Sequence, residues 1–289
     1  TRSAARSGIH GLGGTIWQSD IQIRMTIWML YLVEFADWNS QKTIGKGCGD
    51  NSATGNMGYT DSMPYHTGTT QSSRDSYGLG TQYRNIEGLW DNVYDWGDGC
   101  YYNSAGLNII MNPNNFSDTS GGTAVGVPVG GWPSAFAVAT KSGLEWCIYP
   151  TATGGSETTY SSDGWDFGAS YPCLYFGGYY NRSGYHGLFY VNYNSVSNSN
   201  RNIGCRVLLG LATHLHSSSS QAAERAPRPT GQGLLPPLLL LFLANPLTLG
   251  LARMGRGEGV IFLGTPWCRL ANRTRFSTLP QPAGAVERS

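Results

Sequence analysis

The feature that most limits what this chain can fold into is its punctuation. Within the first 210 residues, only the run from Ser19 to Trp38 is long, apolar and free of glycine, asparagine and proline. Ser19 or Asp20 is placed to cap a helix ending near Trp38, with Ile23, Ile27, Leu30 and Tyr31 on one stripe. Met25, Trp28, Met29, Leu32 and Phe35 cover most of its remaining surface, and a helix apolar nearly all round is buried. Asp20, Arg24, Glu34 and Asp37 interrupt it too often for a membrane span. Elsewhere, residues 101–111, 144–149, 174–176, 188–191 and 207–209 read as short strands. Residues 45–80 read as turns such as Gly47-Cys48-Gly49-Asp50-Asn51, and 112–133 as a Gly-, Asn- and Pro-rich loop. One early buried helix with short strands and long loops predicts an α+β domain.

Composition divides the chain. Residues 1–210 hold all 17 Tyr and all three Lys, with 11 Lys+Arg against 15 Asp+Glu, about −4 in net charge. Residues 211–289 hold no Tyr, eight Arg, three Glu and eight of the 14 Pro. The expected organisation is a flexible glycine-rich lead-in over 1–15, one ligand-binding domain over 16–210, and a low-order tail over 211–289. Because Tyr, Lys and Asp vanish together after Gly210, the tail reads as a non-native extension such as read-through. Its run Leu234–Leu243 is membrane-like, but Pro236, Pro237 and Pro246 break it, so membrane contact is expected only if the stretch 234–252 is native. The chain starts at Thr1 without a charged-then-apolar leader, so a signal peptide is absent or was lost with a missing N-terminus. The body shows no basic, aromatic-interleaved surface, which argues against nucleic acid as a partner.

Six cysteines stand at 48, 100, 147, 173, 205 and 268 without a C-x-x-C pair or histidines at zinc spacing, so they read as small buried apolar residues. Asp91, Asp95 and Asp98 offer hard oxygens for a structural calcium, but no Asp-x-Asp-x-Asp-Gly loop is present, and turn or cap bonding is the expected role. No cofactor is expected. No Gly-x-Ser-x-Gly elbow is present for a Ser/His/Asp hydrolase.

The stretch Gly88-Leu89-Trp90-Asp91-Asn92-Val93-Tyr94-Asp95-Trp96 resembles the G-L/M-x-G-N-V-W-E-W core signature of formylglycine-generating-enzyme (sulfatase-modifying-factor) domains, a branch of the C-type-lectin-like folds. Asn202-Ile203-Gly204-Cys205-Arg206-Val207-Leu208-Leu209 resembles the G-F-R-V/L strand that closes them. Asp91 stands where the family has Gly, and Tyr94 and Asp95 stand for Trp and Glu. The frame Leu174…Gly177-Gly178…Gly187-Leu188-Phe189-Tyr190…Asn202-Ile203-Gly204 resembles the fixed part of variable proteins diversified by a retroelement. The resemblance implies a C-type-lectin-like domain that holds a changeable binding face.

That face is expected over 163–194, within an aromatic stretch that runs over residues 160–194. They contain Tyr at 160, 171, 175, 179, 180, 185, 190 and 193, together with Trp165, Phe167, Phe176 and Phe189. Exposed Tyr among Ser, Gly and Asn is the composition of antibody paratopes: tyrosine gives large amphipathic contact at low entropy cost. Asn, Tyr, Ser and His codons also interconvert by replacing adenines in an Asn codon, and 179–186 and 192–194 are rich in that set. The expected contact residues are Trp165, Phe167, Tyr171, Tyr175, Tyr179, Tyr180, Asn181, Tyr185, His186, Asn192, Tyr193 and Asn194. The expected partner is a cell-surface protein or glycan, met from a phage tail tip or bacterial surface, with oligomeric state left open. The rival is an oxidase on the same fold, for which Cys173 and Cys205 are the only late thiols and His10, His66 and His186 the only histidines of the body.

Overall fold

A computed structural model describes residues 1–48, 53–70, 79–90, 92–181 and 183–209. The expected low-order tail, including the run 234–252, lies outside the described residues. The chain opens not with a flexible lead-in but with a helix, α1 (Arg2–His10), capped by the Thr1 hydroxyl accepting from Ala4 N. The glycines that suggested flexibility cluster at its end and beyond, and side-chain charge decides the outcome. Arg2 is fully buried and donates to the carbonyls of Gly97 and Cys100 and to Asp118. Arg6 bonds Asp98 and Asp118. Each guanidinium therefore finds carbonyl or carboxylate oxygens on the body, which offsets its desolvation.

After β1 (Ile16–Gln18) comes α2 (Ile21–Phe35), and Asp20 caps it by accepting from Ile23 N at 2.9 Å. It ends at Ala36, whose φ of 50° is left-handed. Ile21, Met25, Ile27, Trp28 and Tyr31 are buried in the main core beside Trp90, Trp165, Phe176 and Phe189. Trp28 meets Trp165 and Phe176 edge-on, with ring centroids 5.9 and 6.0 Å away. A short helix, α3 (Ser40–Thr43), follows. Among the described residues no helix is long and apolar enough to cross a membrane.

The rest is strand and loop. β2 (Gly68–Thr69), β3 (Thr81–Tyr83) and β4 (Ile86–Glu87) form one small sheet, its β3–β4 turn made by Arg84 and Asn85, both at positive φ. This is the backbone a two-residue turn needs to match strand twist. The segment β5 (Tyr94–Trp96) follows. The expected strand over 101–111 is instead a hairpin, β6 (Cys100–Asn103) and β7 (Gly106–Ile109). Gly106 at φ 99°, seated against the Gly126 carbonyl, turns the chain where an extended reading ran through. β8 (Thr123–Gly126) joins this hairpin from within the expected loop. β9 (Pro133–Val138) pairs with β10 (Ile148–Thr153), so the expected strand at 144–149 starts later. β11 (Cys173–Phe176), β12 (Val191–Asn194) and β13 (Ile203–Gly204) complete a four-stranded sheet in the order β12-β11-β5-β13. Leu188 to Tyr190, expected as strand, form the turn before β12, in which Tyr190 N bonds Gly187 O. β14 (Val207–Leu209) pairs antiparallel with β1, closing the chain on its own beginning. Few helices and several small sheets make an α+β architecture.

A buried ionic cluster ties these parts together. Asp95 Oδ2 accepts from Arg24 of α2 at 3.1 Å and from Arg206 at 2.5 Å, and all three side chains are at most 4% exposed. Arg206 also donates to the carbonyls of Glu87 and Gly88, and Arg24 to that of Leu89. The two guanidiniums thus hold the backbone that leads into β5 while sharing one carboxylate. Burial, opposed by Asp95 and reinforced by Arg206, pushes Arg24 down to about 10. Sequence reasoning gave Asp95 a turn or cap role; it is the anion of this cluster.

Candidate ligand-binding face

The β12-β11-β5-β13 sheet has two different faces because successive side chains alternate. Leu174 and Phe176 point into the main core with Val191, and Tyr193, paired with Leu174, packs against that core. On the other face, Tyr94 and Trp96 of β5 join Cys173 and Tyr175 of β11 in a separate aromatic cluster with Tyr190. The register sets Tyr175 opposite both Trp96 and Asn192, and Cys173 opposite Asn194. Tyr94 lies 4.1 Å from Tyr175 and 4.9 Å from Tyr179, ring centre to ring centre. Tyr185 packs edge-on against Tyr190 at 5.4 Å and against Trp132 at 4.7 Å. Each such pair contributes about 0.5–1.5 kcal/mol beyond its buried area.

Polar bonds fix the same layer. Tyr190 and Tyr185 donate to the two carboxylate oxygens of Asp166 at 3.0 and 3.3 Å. Asn192 Nδ2 donates to the Tyr190 hydroxyl at 2.7 Å while its Oδ1 accepts from Tyr193 N. Asn194 does the same between the Tyr175 hydroxyl and Ser195 N. Both asparagines therefore brace the edge strand as well as showing polar surface.

The loop between β11 and β12 is anchored at both feet. Gly177 and Gly178 sit at φ 85° and 74°, and a methyl group on Gly177 would overlap the Leu89 carbonyl oxygen. Only glycine takes such a backbone cheaply. Tyr180 N bonds Asn92 O, and the Asn92 side-chain amide exchanges two bonds with Gly55, so that asparagine serves the loop and its neighbour at once. At the far foot, Phe189 N donates to Asp163 Oδ2 at 2.8 Å and Leu188 N to Ser40 Oγ at 2.9 Å. Burial pushes the Asp163 carboxyl up to about 7, opposed by the Phe189 and Ser162 bonds.

Against this geometry the expected contact residues separate. Tyr171 and Asn181 are exposed. Phe167, Tyr179, Tyr185, Asn192, Tyr193 and Asn194 are half-buried. Trp165, Tyr175, Tyr180 and His186 are buried, so in this structure they support a face rather than touch a ligand. Trp165 fills the core against Trp28 and donates to the Tyr102 hydroxyl. His186 is packed against Gly178. The residues also part by side: Tyr175, Tyr179, Tyr185, Asn192 and Asn194 gather about the outer sheet face, whereas Phe167, Tyr171 and Tyr193 form a second group with Tyr102. Sequence reasoning missed Tyr94, Trp96, Tyr190, Asp166 and Trp132. Strand alternation from Trp96 through Tyr94 would have placed those two together; Asp166 and Trp132 carried no local signal.

Of the three aspartates weighed against calcium, Asp95 is taken by two arginines, Asp98 by Arg6 and Gly99 N, and Asp91 lies outside the described residues. Cys100, Cys147 and Cys173 are buried free thiols, Cys48 is buried, and Cys205 is half-buried. Burial pushes Cys173 and Cys205 up to about 11. No family model matches the chain, and neither a curated protein nor a solved structure matches it.

Proposed function

We propose that this chain is a non-catalytic binding protein: a C-type-lectin-like domain of the formylglycine-generating-enzyme type that holds out a retroelement-diversified face. Its ligand is a cell-surface protein or glycan, and its setting a phage tail tip or bacterial surface. The observation that carries the reading is the layered sheet. One face is locked into the core, the other bears a hydrogen-bonded tyrosine layer, and Tyr179 and Tyr185 pack on it from a loop that is pinned at both feet and also carries the exposed Asn181. The coupling of Asp95 to Arg206 joins the two segments that carry the family resemblance, which also favours the fold assignment.

The thiols speak against the oxidase reading. The strand carrying Cys173 and the strand ending just before Cys205 flank β5 on opposite sides. Two strand spacings amount to roughly 9.5 Å, beyond the about 7 Å between Cα atoms that a disulfide bridges. Burial also raises the pKa of both thiols, which disfavours the thiolate that redox chemistry needs.

The test is a library in which Tyr171, Tyr179, Asn181 and Tyr185 are randomised together on the displayed domain. If the reading holds, most members fold and selection against unrelated proteins yields specific binders. A library in which few members fold would refute it. Flanking DNA carrying a near-copy of codons 160–209 that differs at adenines, beside a reverse transcriptase, is the genetic counterpart.

A further inference from the structure

Beside the tyrosine layer lies a turn outside the expected contact set. Tyr160 is 68% exposed, and its φ is 57°. A bulky side chain at left-handed φ is strained, and such residues persist where the surroundings over-determine them, often at functional sites. Here the surroundings do so. Gly154 N and Gly155 N both bond Trp132 O, Ser161 N bonds Pro133 O, and Ser156 and Thr159 exchange two backbone bonds. The Ser156 hydroxyl meets those of Thr158 and Thr159. Gly155 is wedged among the Trp132, Pro133 and Thr159 carbonyls, and the Asn39 amide donates to Glu157 O. The turn is polar and held by these bonds, with Glu157 and Thr158 at its apex and the exposed Tyr160 ring just beyond the Ser156–Thr159 bridge.

It is also continuous with the loop above β11. The Glu157 carboxylate lies so close to Gly184 that a methyl group there would overlap it. Trp132, whose carbonyl holds the turn, packs its ring on Tyr185, which in turn bonds Asp166. Glu157 is the one charged residue of the turn and is exposed, whereas Asp163 is buried and both carboxylate oxygens of Asp166 accept from Tyr185 and Tyr190.

We propose that the Gly154–Tyr160 turn completes the binding face, with Tyr160 as its projecting anchor and Glu157 beside it, and that the partner is a protein surface offering a pocket with basic groups. An exposed ring beside a hydrogen-bonded turn suits insertion into a partner's pocket, as buried aromatic anchors do at protein interfaces, whereas small-ligand sites are concave. The exposed Glu157 carboxylate of the turn favours a basic group on the partner. This rests on the reading of the chain as a binding protein.

The test is selection of a random peptide library displayed on phage against the immobilised full chain. Enriched peptides should be rich in Arg and Lys. Their affinity should fall at least about tenfold with Tyr160→Ala and several-fold with Glu157→Gln, yet hold with Tyr65→Ala, an exposed tyrosine near the β2–β4 sheet. Tyr160→Gly should lose the same binding while melting at or above the parent, since glycine accepts that φ without strain; a lower melting temperature would make Tyr160 structural and overturn the proposal. Peptides that ignore Tyr160 but depend on Tyr179 and Asn181 would sink this extension and leave the binding reading standing. Dependence on neither would sink both. Neutral oligosaccharides binding through Tyr160 would overturn the partner class.

Discussion

Asp95→Asn is the sharpest perturbation of the scaffold. It removes one negative charge from between Arg24 and Arg206, both nearly inaccessible to solvent. Two guanidiniums then remain buried with a neutral amide oxygen and the carbonyls of Glu87, Gly88 and Leu89, but no anion, to face them. Breaking a buried pair by removing one partner costs about 3–5 kcal/mol, a large share of the roughly 5–15 kcal/mol that holds a domain folded. At roughly 2–4 °C per kcal/mol for a domain of this size, a cost of about 4 kcal/mol lowers the melting temperature by roughly 8–16 °C. Circular dichroism melts and urea titrations of the two proteins read this directly. A double-mutant cycle with Arg206→Met isolates the pair and should return a coupling of about 1 kcal/mol or more. A melting shift under about 3 °C, or strictly additive effects, would refute the idea that this carboxylate ties β5 to α2 and to Arg206.

Three further outcomes follow from the same structure. Trp165→Ala should cost about 3–5 kcal/mol, whereas Tyr171→Ala and Asn181→Ser should each stay within about 0.5 kcal/mol; equal effects in urea melts would erase the distinction between support and display. Arg2→Ala should destabilise by about 1–3 kcal/mol and open residues 1–15 to limited proteolysis; unchanged cleavage would return that segment to a loose lead-in. Asp163 has its folded value raised from 3.8 to about 7, so its contribution is fully present in acid and lost as pH climbs through 7. Relative to Asp163→Asn, the parent should lose stability by at most about 1.4 kcal/mol per pH unit between pH 4 and 7, and a flat difference would show the group ionised throughout.

What could be read from the amino acids depended on whether a residue's partners were near in sequence. The Asp20 cap and the buried α2 are local, and both are found. β11 and β14 lie where short apolar runs marked them. The hairpin at 100–109 was missed because an unbroken β-prone run hides a turn set by Gly106 meeting Gly126 across space. The docking of α1 was missed because its energy comes from Arg2 reaching partners 95 to 116 positions away. Composition located the aromatic stretch, but not the split that strand pleating imposes on it. Tyr175 and Asn192 fall on one face and Tyr193 on the other through register alone.

That split changes how the face must work. Tyr94, Tyr175 and Tyr190 form a buried layer, and the hydroxyls of Tyr175 and Tyr190 are used by Asn192, Asn194 and Asp166. Exchanging a ring in that layer would open a cavity and strand a hydrogen bond together. Exchanging Asn181 or Tyr171 should disturb little, because each stands in solvent. If this sheet carries the diversified face proposed above, that face cannot vary all its tyrosines freely. Those beneath are framework, although their composition matches those above, and variation is affordable only at the rim of the layer and on the pinned loop.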